Sequence, residues 1–228
     1  MAITSASQAE DTGSIPVARS TPPLLRISDG QNALIAAPGE LILLSGPCGS
    51  GKSLLLRRLA ALAPLPAGWQ LGWNGNPVGG GKLPARVAYL GEEYPPIWLG
   101  TQVQEELTLG PIPFPDAHAL RGALEDWGSD ATLLTAATAN LNRLQAVQVA
   151  LAGMALRRTH LLLLDNPTAS LPVADADRLR RRLGAWLRDH GALAIVACNR
   201  PQDWADCASQ FWSSTDAGYL PRAERTDG

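Results

Sequence analysis

Lysine is nearly missing. The chain has two, Lys52 and Lys82, in 228 residues, and its net charge is −2. That balance offers no basic platform for nucleic acid. Arginine carries most of the positive charge, a trait of composition more than of function. Cysteine is scarce too. Cys48, Cys198 and Cys207 show no C-x-x-C or metal spacing, which leaves a reduced, cytoplasmic setting as the natural reading. No apolar run approaches the length of a membrane span. The N-terminus lacks the charged start and apolar core of a signal peptide. Any membrane contact is therefore expected to pass through a partner. No internal repeat is visible.

What the sequence does contain is Gly46-Pro47-Cys48-Gly49-Ser50-Gly51-Lys52-Ser53, followed by Leu54. This fits G-x-x-x-x-G-K-[ST], the phosphate-binding loop. The apolar run Leu41-Ile42-Leu43-Leu44 precedes it and reads as a buried strand; a leucine-rich segment over residues 53–62 follows and reads as a helix. The glycines let the backbone wrap a polyphosphate with its N–H groups turned inward. The helix N-terminus adds the positive end of its dipole. Lys52 is expected to reach the β- and γ-phosphates, and the Ser53 hydroxyl to ligate Mg²⁺.

Residues 1–23 are rich in Ser, Thr, Ala and Pro and read as a disordered tail. Leu24–Ile27 and Ala33–Ala36 read as a hairpin, Trp69–Trp73 as a strand, and Asn74-Gly75 as its turn. Gly79-Gly80-Gly81 reads as a flexible link, and Val87–Leu90 as a further strand. From Thr101 to about Ala155 the pattern is helical. Val173–Asp189 reads as a helix whose arginines, among them Arg178, Arg180 and Arg182, form a solvated face with Asp partners. Residues 192–197 and Phe211-Trp212 read as strands, Ala217-Gly218 as a turn, and residues 221–228 as frayed.

Leu161-Leu162-Leu163-Leu164-Asp165 is the second diagnostic stretch. An apolar run ending in Asp fits a nucleotide-binding parallel sheet, with the carboxylate at the edge where ligands bind. Asp165 is expected to hold Mg²⁺ opposite Ser53, directly or through water.

The whole pattern resembles the ATP-binding subunit of ABC transporters, from about Leu24 to Leu220. Pro38-Gly39-Glu40 resembles the family's P-G-E. Arg86–Leu90 resembles the strand before its glutamine loop, and Leu164–Leu171 resembles L-D-E-P-T-x-x-L. Thr101-Gln102-Val103-Gln104-Glu105-Glu106-Leu107, running on to Gly110-Pro111, resembles a version found in energy-coupling-factor importers. The resemblance implies an α/β P-loop NTPase fold of the ABC ATPase type. Its mixed sheet core would carry flanking helices, a small antiparallel β part and a helical subdomain over about residues 94–155. It implies ATP and Mg²⁺ as cofactors. The implied partners are a second ATP-binding subunit, homologous or self, and a transmembrane subunit docking near Tyr94–Leu99, with Trp98 in the contact. The protein would then sit on the inner face of the cell membrane.

The departures from the family lie where it cuts and switches. Asn166 stands at the position of the catalytic glutamate, and an amide cannot take a proton at neutral pH. Glu92 stands at the glutamine position, Asn199 at the switch histidine, and Pro172 at the aspartate of the following loop. The signature becomes Leu141-Asn142-Arg143-Leu144-Gln145, with the helix expected from Ala146 and side chains in place of two glycines. Ile27 is the residue offered as an apolar surface for adenine. The resemblance so modified implies intact nucleotide binding with weak or absent hydrolysis. A competent transporter ATPase and a soluble ABC-like regulatory protein stay open as alternatives.

Overall fold

The computed structural model describes residues 25–216 and 220–224. The tail read over residues 1–23 and the Ala217-Gly218 turn lie outside them. The chain opens with the antiparallel hairpin β1 (Leu25–Ser28) and β2 (Ala33–Ala36), closed by the Asp29 carboxylate, which accepts the N–H groups of Gln31 and Asn32. Strand β3 (Leu41–Ser45) runs into helix α1 (Lys52–Leu59). A second hairpin follows, β4 (Gln70–Trp73) and β5 (Asn76–Val78). Asn74 and Gly75 both take positive φ in its turn, 50° and 77°, as a two-residue hairpin loop demands. The glycines expected as a flexible link, Gly79–Gly81, form a short turn in which Gly80 and Gly81 take positive φ, 71° and 69°.

Strand β6 (Val87–Leu90) then leads into three helices, α2 (Val103–Thr108), α3 (Ala117–Asp126) and α4 (Arg143–Leu156). The chain closes with β7 (Leu161–Asp165), α5 (Val173–His190), β8 (Leu193–Ala197), β9 (Gln210–Ser213) and β10 (Arg222–Glu224). The first hairpins form a four-stranded antiparallel sheet, order β2-β1-β4-β5. The others form a six-stranded sheet, order β10-β9-β3-β8-β7-β6. Residues 222–224, expected to fray, pair antiparallel with β9. They cover an edge whose backbone groups would otherwise lack partners.

The continuous apolar runs of β3, β7 and β8 have a simple cause: both faces of the large sheet are covered. Leu41, Leu43, Leu162 and Leu164 join one hydrophobic cluster with residues of all four later helices. Ile42, Leu44, Leu161 and Leu163 join the other, with Leu55, Leu56 and Leu59 of α1 and the inner face of the small sheet. Ile27 belongs to that second cluster and is fully buried, so it offers no surface to adenine. The arginines of α5 also depart from a simple solvated face. Arg178 pairs with Asp175 as expected, but Arg180 is buried, paired with Asp177 and stacked over Trp204. Arg182 donates to the carbonyls of Glu125 and Asp126 at 3.1 and 2.7 Å, closing the C-terminal end of α3.

The paired glutamates of the 101–107 stretch have a local structural task. Glu105 accepts bonds from the Thr101 N–H, the Thr101 hydroxyl and the Gln102 N–H at 2.8, 2.7 and 3.2 Å. Glu106 accepts the N–H groups of Leu99 and Gly100 at 2.8 and 2.9 Å. Together they satisfy donors at and before the start of α2, which otherwise would have no partner. The Thr101 hydroxyl first, then these N–H groups, favour the ionised Glu105 and hold its pKa below the ordinary value. Such a depressed group stabilises the fold above its unfolded pKa, and the contribution fades as pH falls through the lower folded value. We expect Glu105→Gln to lower the urea midpoint at pH 7. The gap from wild type should close as pH drops below about 4, the ordinary carboxylate range.

Candidate nucleotide-binding site

The phosphate loop hangs from the end of β3. Gly46 takes φ 143°, and a Cβ there would lie 2.1 Å from the Ser214 carbonyl oxygen. Ser214 also donates its hydroxyl to the Ser50 carbonyl at 2.6 Å, and its N–H to Ser45. One residue just past β9 thus clamps both ends of the loop. Gly49, at φ 81°, faces open space, and Gly51, at φ 90°, is the N-cap of α1. Pro47, Cys48 and Gly49 are exposed, while Ser53 and Leu54 are half-buried behind them. Lys52 is buried, its ammonium donating to the Gly46 and Pro47 carbonyls at 2.7 and 2.9 Å. The Ser50 hydroxyl oxygen is buried with no partner among the described residues.

Sheet register brings the remaining groups to the same edge. Asp165 ends β7 opposite Ala197 of β8, and Leu44 of β3 lies opposite that same Ala197. Leu90, the last residue of β6, lies opposite Leu164. Asp165 is buried and hydrogen-bonded to the Ser53 side chain. Burial raises its pKa above the ordinary value, against the Ser53 bond, and the nearby negative charge of Glu92 adds to the rise. Two supporting residues escape a motif search. Tyr89 directs its hydroxyl to Asp165 at 3.5 Å, and Arg57 of α1 bonds to Tyr89. The only trace of Tyr89 in the sequence is its place one residue before the end of β6.

The positions where the sequence departs from its family also meet here. Asn166 takes φ 51°, its N–H bonded to the Ala197 carbonyl at 2.9 Å. Its side-chain nitrogen donates to Glu92 Oε1 at 2.9 Å. Glu92, Asn166, Cys198 and the exposed Asn199 line one pocket of about 460 Å³. Pro172 stands beyond it as the N-cap residue of α5. Burial first of all pushes the Cys198 thiol up to about 11, so it stays protonated at neutral pH.

The signature stretch is built differently from its expected form. Helix α4 begins at Arg143, not Ala146, so Arg143, Leu144 and Gln145 form its first turn. The reason is a reciprocal cap: Asn142 accepts the Gln145 N–H, and the Gln145 side chain accepts the Asn142 N–H, both at 3.0 Å. Leu141 is buried. Arg143 reaches back, stacking over the Tyr94 ring and donating to the Glu92 carbonyl at 3.2 Å. The Tyr94 hydroxyl in turn donates to the Leu141 carbonyl. Within the loop that follows β6, Trp98 packs against the main core, its indole nitrogen buried, whereas Ile97 is 88% exposed and Leu99 80% exposed. Trp98 is half-buried: one side packs on the core, and it lines an open groove with Pro95, Pro96 and Ile97.

A family profile described as ABC transporter matches residues 31–169. The chain is 37% identical over 169 residues to the cytochrome c biogenesis ATP-binding export protein CcmA 2 of Cupriavidus metallidurans, across 72% of this chain and 78% of that protein. It is 34% identical over 160 residues to the aliphatic sulfonates import ATP-binding protein SsuB 1 of Pseudomonas fluorescens, across 70% and 57% of the two chains. The chain belongs to the ABC transporter ATP-binding family. Its fold matches that of cbiO1 from Clostridium perfringens, part of the ABC transporter complex cbiONQ. There the TM-score is 0.74 at 19% identity, over 89% of this chain and 88% of that one.

The residues of this ABC subunit fit Mg·ATP. The orphaned Ser50 hydroxyl and the open face at Gly49 leave room and a donor for phosphate oxygens. The Ser53 and Asp165 oxygens, already in contact, are the hard donors that Mg²⁺ prefers. Bound there, Mg²⁺ would neutralise phosphate charge. Lys52→Ala should weaken ATP binding by about 10²-fold or more, the scale of lost charge-assisted bonds. Ser53→Ala and Asp165→Ala should weaken Mg·ATP more than metal-free ATP. Isothermal titration with and without Mg²⁺ separates these effects; unchanged binding by Lys52→Ala would remove the loop as the site.

Proposed function

We propose that this ATP-binding subunit grips Mg·ATP through residues 46–54 and Asp165 but hydrolyses it slowly on its own. It works beneath a membrane partner with a second ATP-binding subunit. The observation that carries the reading is the contrast between the two halves of the machinery. The loop, Lys52, Ser53 and Asp165 are assembled and in contact. The signature turn carries Arg143 and Leu144 within a capped helix, where the family presents glycine backbone to a phosphate on the facing subunit. A homodimer would repeat that defect at both sites. A facing subunit with a glycine signature would relieve it at the site formed by this chain's loop.

The kind of transporter is read from the relatives. Several matched proteins are named for export in cytochrome c biogenesis, and this supports an export assembly of that kind. Other matched proteins are named for import, and the 101–111 stretch that resembles importers also uses Glu105 and Glu106 to cap α2. No described helix is long and apolar enough to cross a membrane. Attachment to the inner face of the membrane would therefore run through a partner. The patch that fits this contact is Tyr94, Ile97 and Leu99 on the loop after β6, exposed apolar side chains in sequence proximity.

Two measurements test the proposal. Steady-state phosphate release by the purified protein should stay below about 0.1 s⁻¹, far under the enzyme median of about 10 s⁻¹. A wild-type rate near 1 s⁻¹ that Lys52→Ala abolishes would make this a competent ATPase by itself. Ile97→Asp with Leu99→Asp should release the protein from membranes of its native host while leaving its thermal transition in place. Trp98→Asp should lower that transition. Co-purification of a multi-helix membrane protein with wild type identifies the partner, and recovery of none would favour a soluble regulatory role.

A further inference from the structure

At the mouth of the site two side chains share one hydrogen bond, and only one of them can take a proton. Asn166 is fixed by its backbone: its N–H bonds Ala197, its carbonyl accepts the Ala169 N–H, and its φ is 51°. From there its side chain meets Glu92 Oε1 at 2.9 Å. A carboxylate only accepts, so the amide nitrogen must face it. The second Glu92 oxygen is free among the described residues. The backbone of Glu92 is held from the other side by Arg143, through the 3.2 Å bond to its carbonyl.

The other titratable groups nearby are committed elsewhere. Asp165 is buried and hydrogen-bonded to the Ser53 side chain. Asp203 is paired with Arg200 at 3.8 Å. Asn199 is an amide, and Cys198 is a buried thiol. Glu92 is the remaining carboxylate on that wall.

We propose that Glu92 is the general base of this chain's nucleotide site and that Asn166 positions it. The reading rests on Mg·ATP binding at this edge. Water attacks the γ-phosphorus, forming a new P–O bond. The bond from γ-phosphorus to the β–γ bridging oxygen breaks, and its electron pair leaves with ADP. The proton lost by the water passes to the Glu92 carboxylate and then to solvent. The carboxylate and amide of the family's pair are thereby exchanged between two strands' ends. Glu92 reaches in from the loop after β6, and Asn166 from the end of β7. The exchange preserves a base while the signature turn still limits the rate, so hydrolysis is slow yet dependent on Glu92.

The experiment uses the full chain in excess over radiolabelled Mg·ATP, following a single turnover, with Lys52→Ala as the blank. Mg·ATP affinity is titrated in parallel. Wild type should release phosphate measurably above the blank. Glu92→Gln should bind Mg·ATP within about threefold of wild type while losing about 10²-fold in rate, the usual worth of general-base assistance. Glu92→Ala should lose a similar factor and regain rate when formate is added, a rescue that a merely structural role for Glu92 would not allow. An unchanged rate in Glu92→Gln would overturn the proposal. So would a wild-type rate equal to the blank despite normal binding. Failure of wild type to bind Mg·ATP at all would overturn it together with the nucleotide-site reading.

Discussion

The structure depends on the register of five parallel strands, β9, β3, β8, β7 and β6, of which the central three are buried on both faces. In β3, β8 and β7 successive side chains enter opposite hydrophobic clusters, so a slip of one residue would exchange the two cores. That same register aligns the strand ends, placing Ser45, Ala197, Asp165 and Leu90 along one edge. The loops that leave this edge have little freedom in where they begin. The distance from Ser53 to Asp165 is thus set by core packing, with no contribution needed from a ligand. The strand between them, β8, belongs to a later part of the chain.

Most polar groups of the loop find partners within the protein. Lys52 turns its ammonium onto two loop carbonyls, and Ser53 bonds Asp165. Both arrangements keep buried polar groups paired, which avoids the cost of an unpaired charge. Both use groups that an anion and a cation would claim together. The Ser50 hydroxyl is the exception, buried and unpaired, and it marks where the loop is complete only with a further oxygen.

The helical part shows how one residue can serve two neighbours. Arg143 opens α4, stacks on Tyr94 and holds the Glu92 backbone. The signature turn, the exposed loop carrying Ile97 and Leu99, and the carboxylate beside Asn166 are therefore in one contact chain. A displacement of that loop by a partner would be felt at Glu92 through packed and hydrogen-bonded groups, a physical route for coupling of the kind such links require. The same Arg143 is what fills the space of a signature glycine, so this link and the departure from the family signature have one cause.

By itself the sequence determined the phosphate loop, the strand ending in Asp165, most strands and helices, and the family. These are local matters: hydrophobic period, turn chemistry and glycine spacing act over a few residues. Asn74-Gly75 specifies its hairpin with no help from elsewhere. Tertiary structure alone decided which side chains meet. Ile27 looked available in one dimension and is inside in three, because burial depends on what the rest of the chain lays over it. Residues 222–224 looked loose and form a strand because the exposed edge of β9 accepts them. The sequence showed a carboxylate at 92 and an amide at 166, 74 residues apart, as two separate losses. Only the alignment of β6 with β7 makes them a bonded pair, since no local rule links two strand ends that become neighbours through the fold.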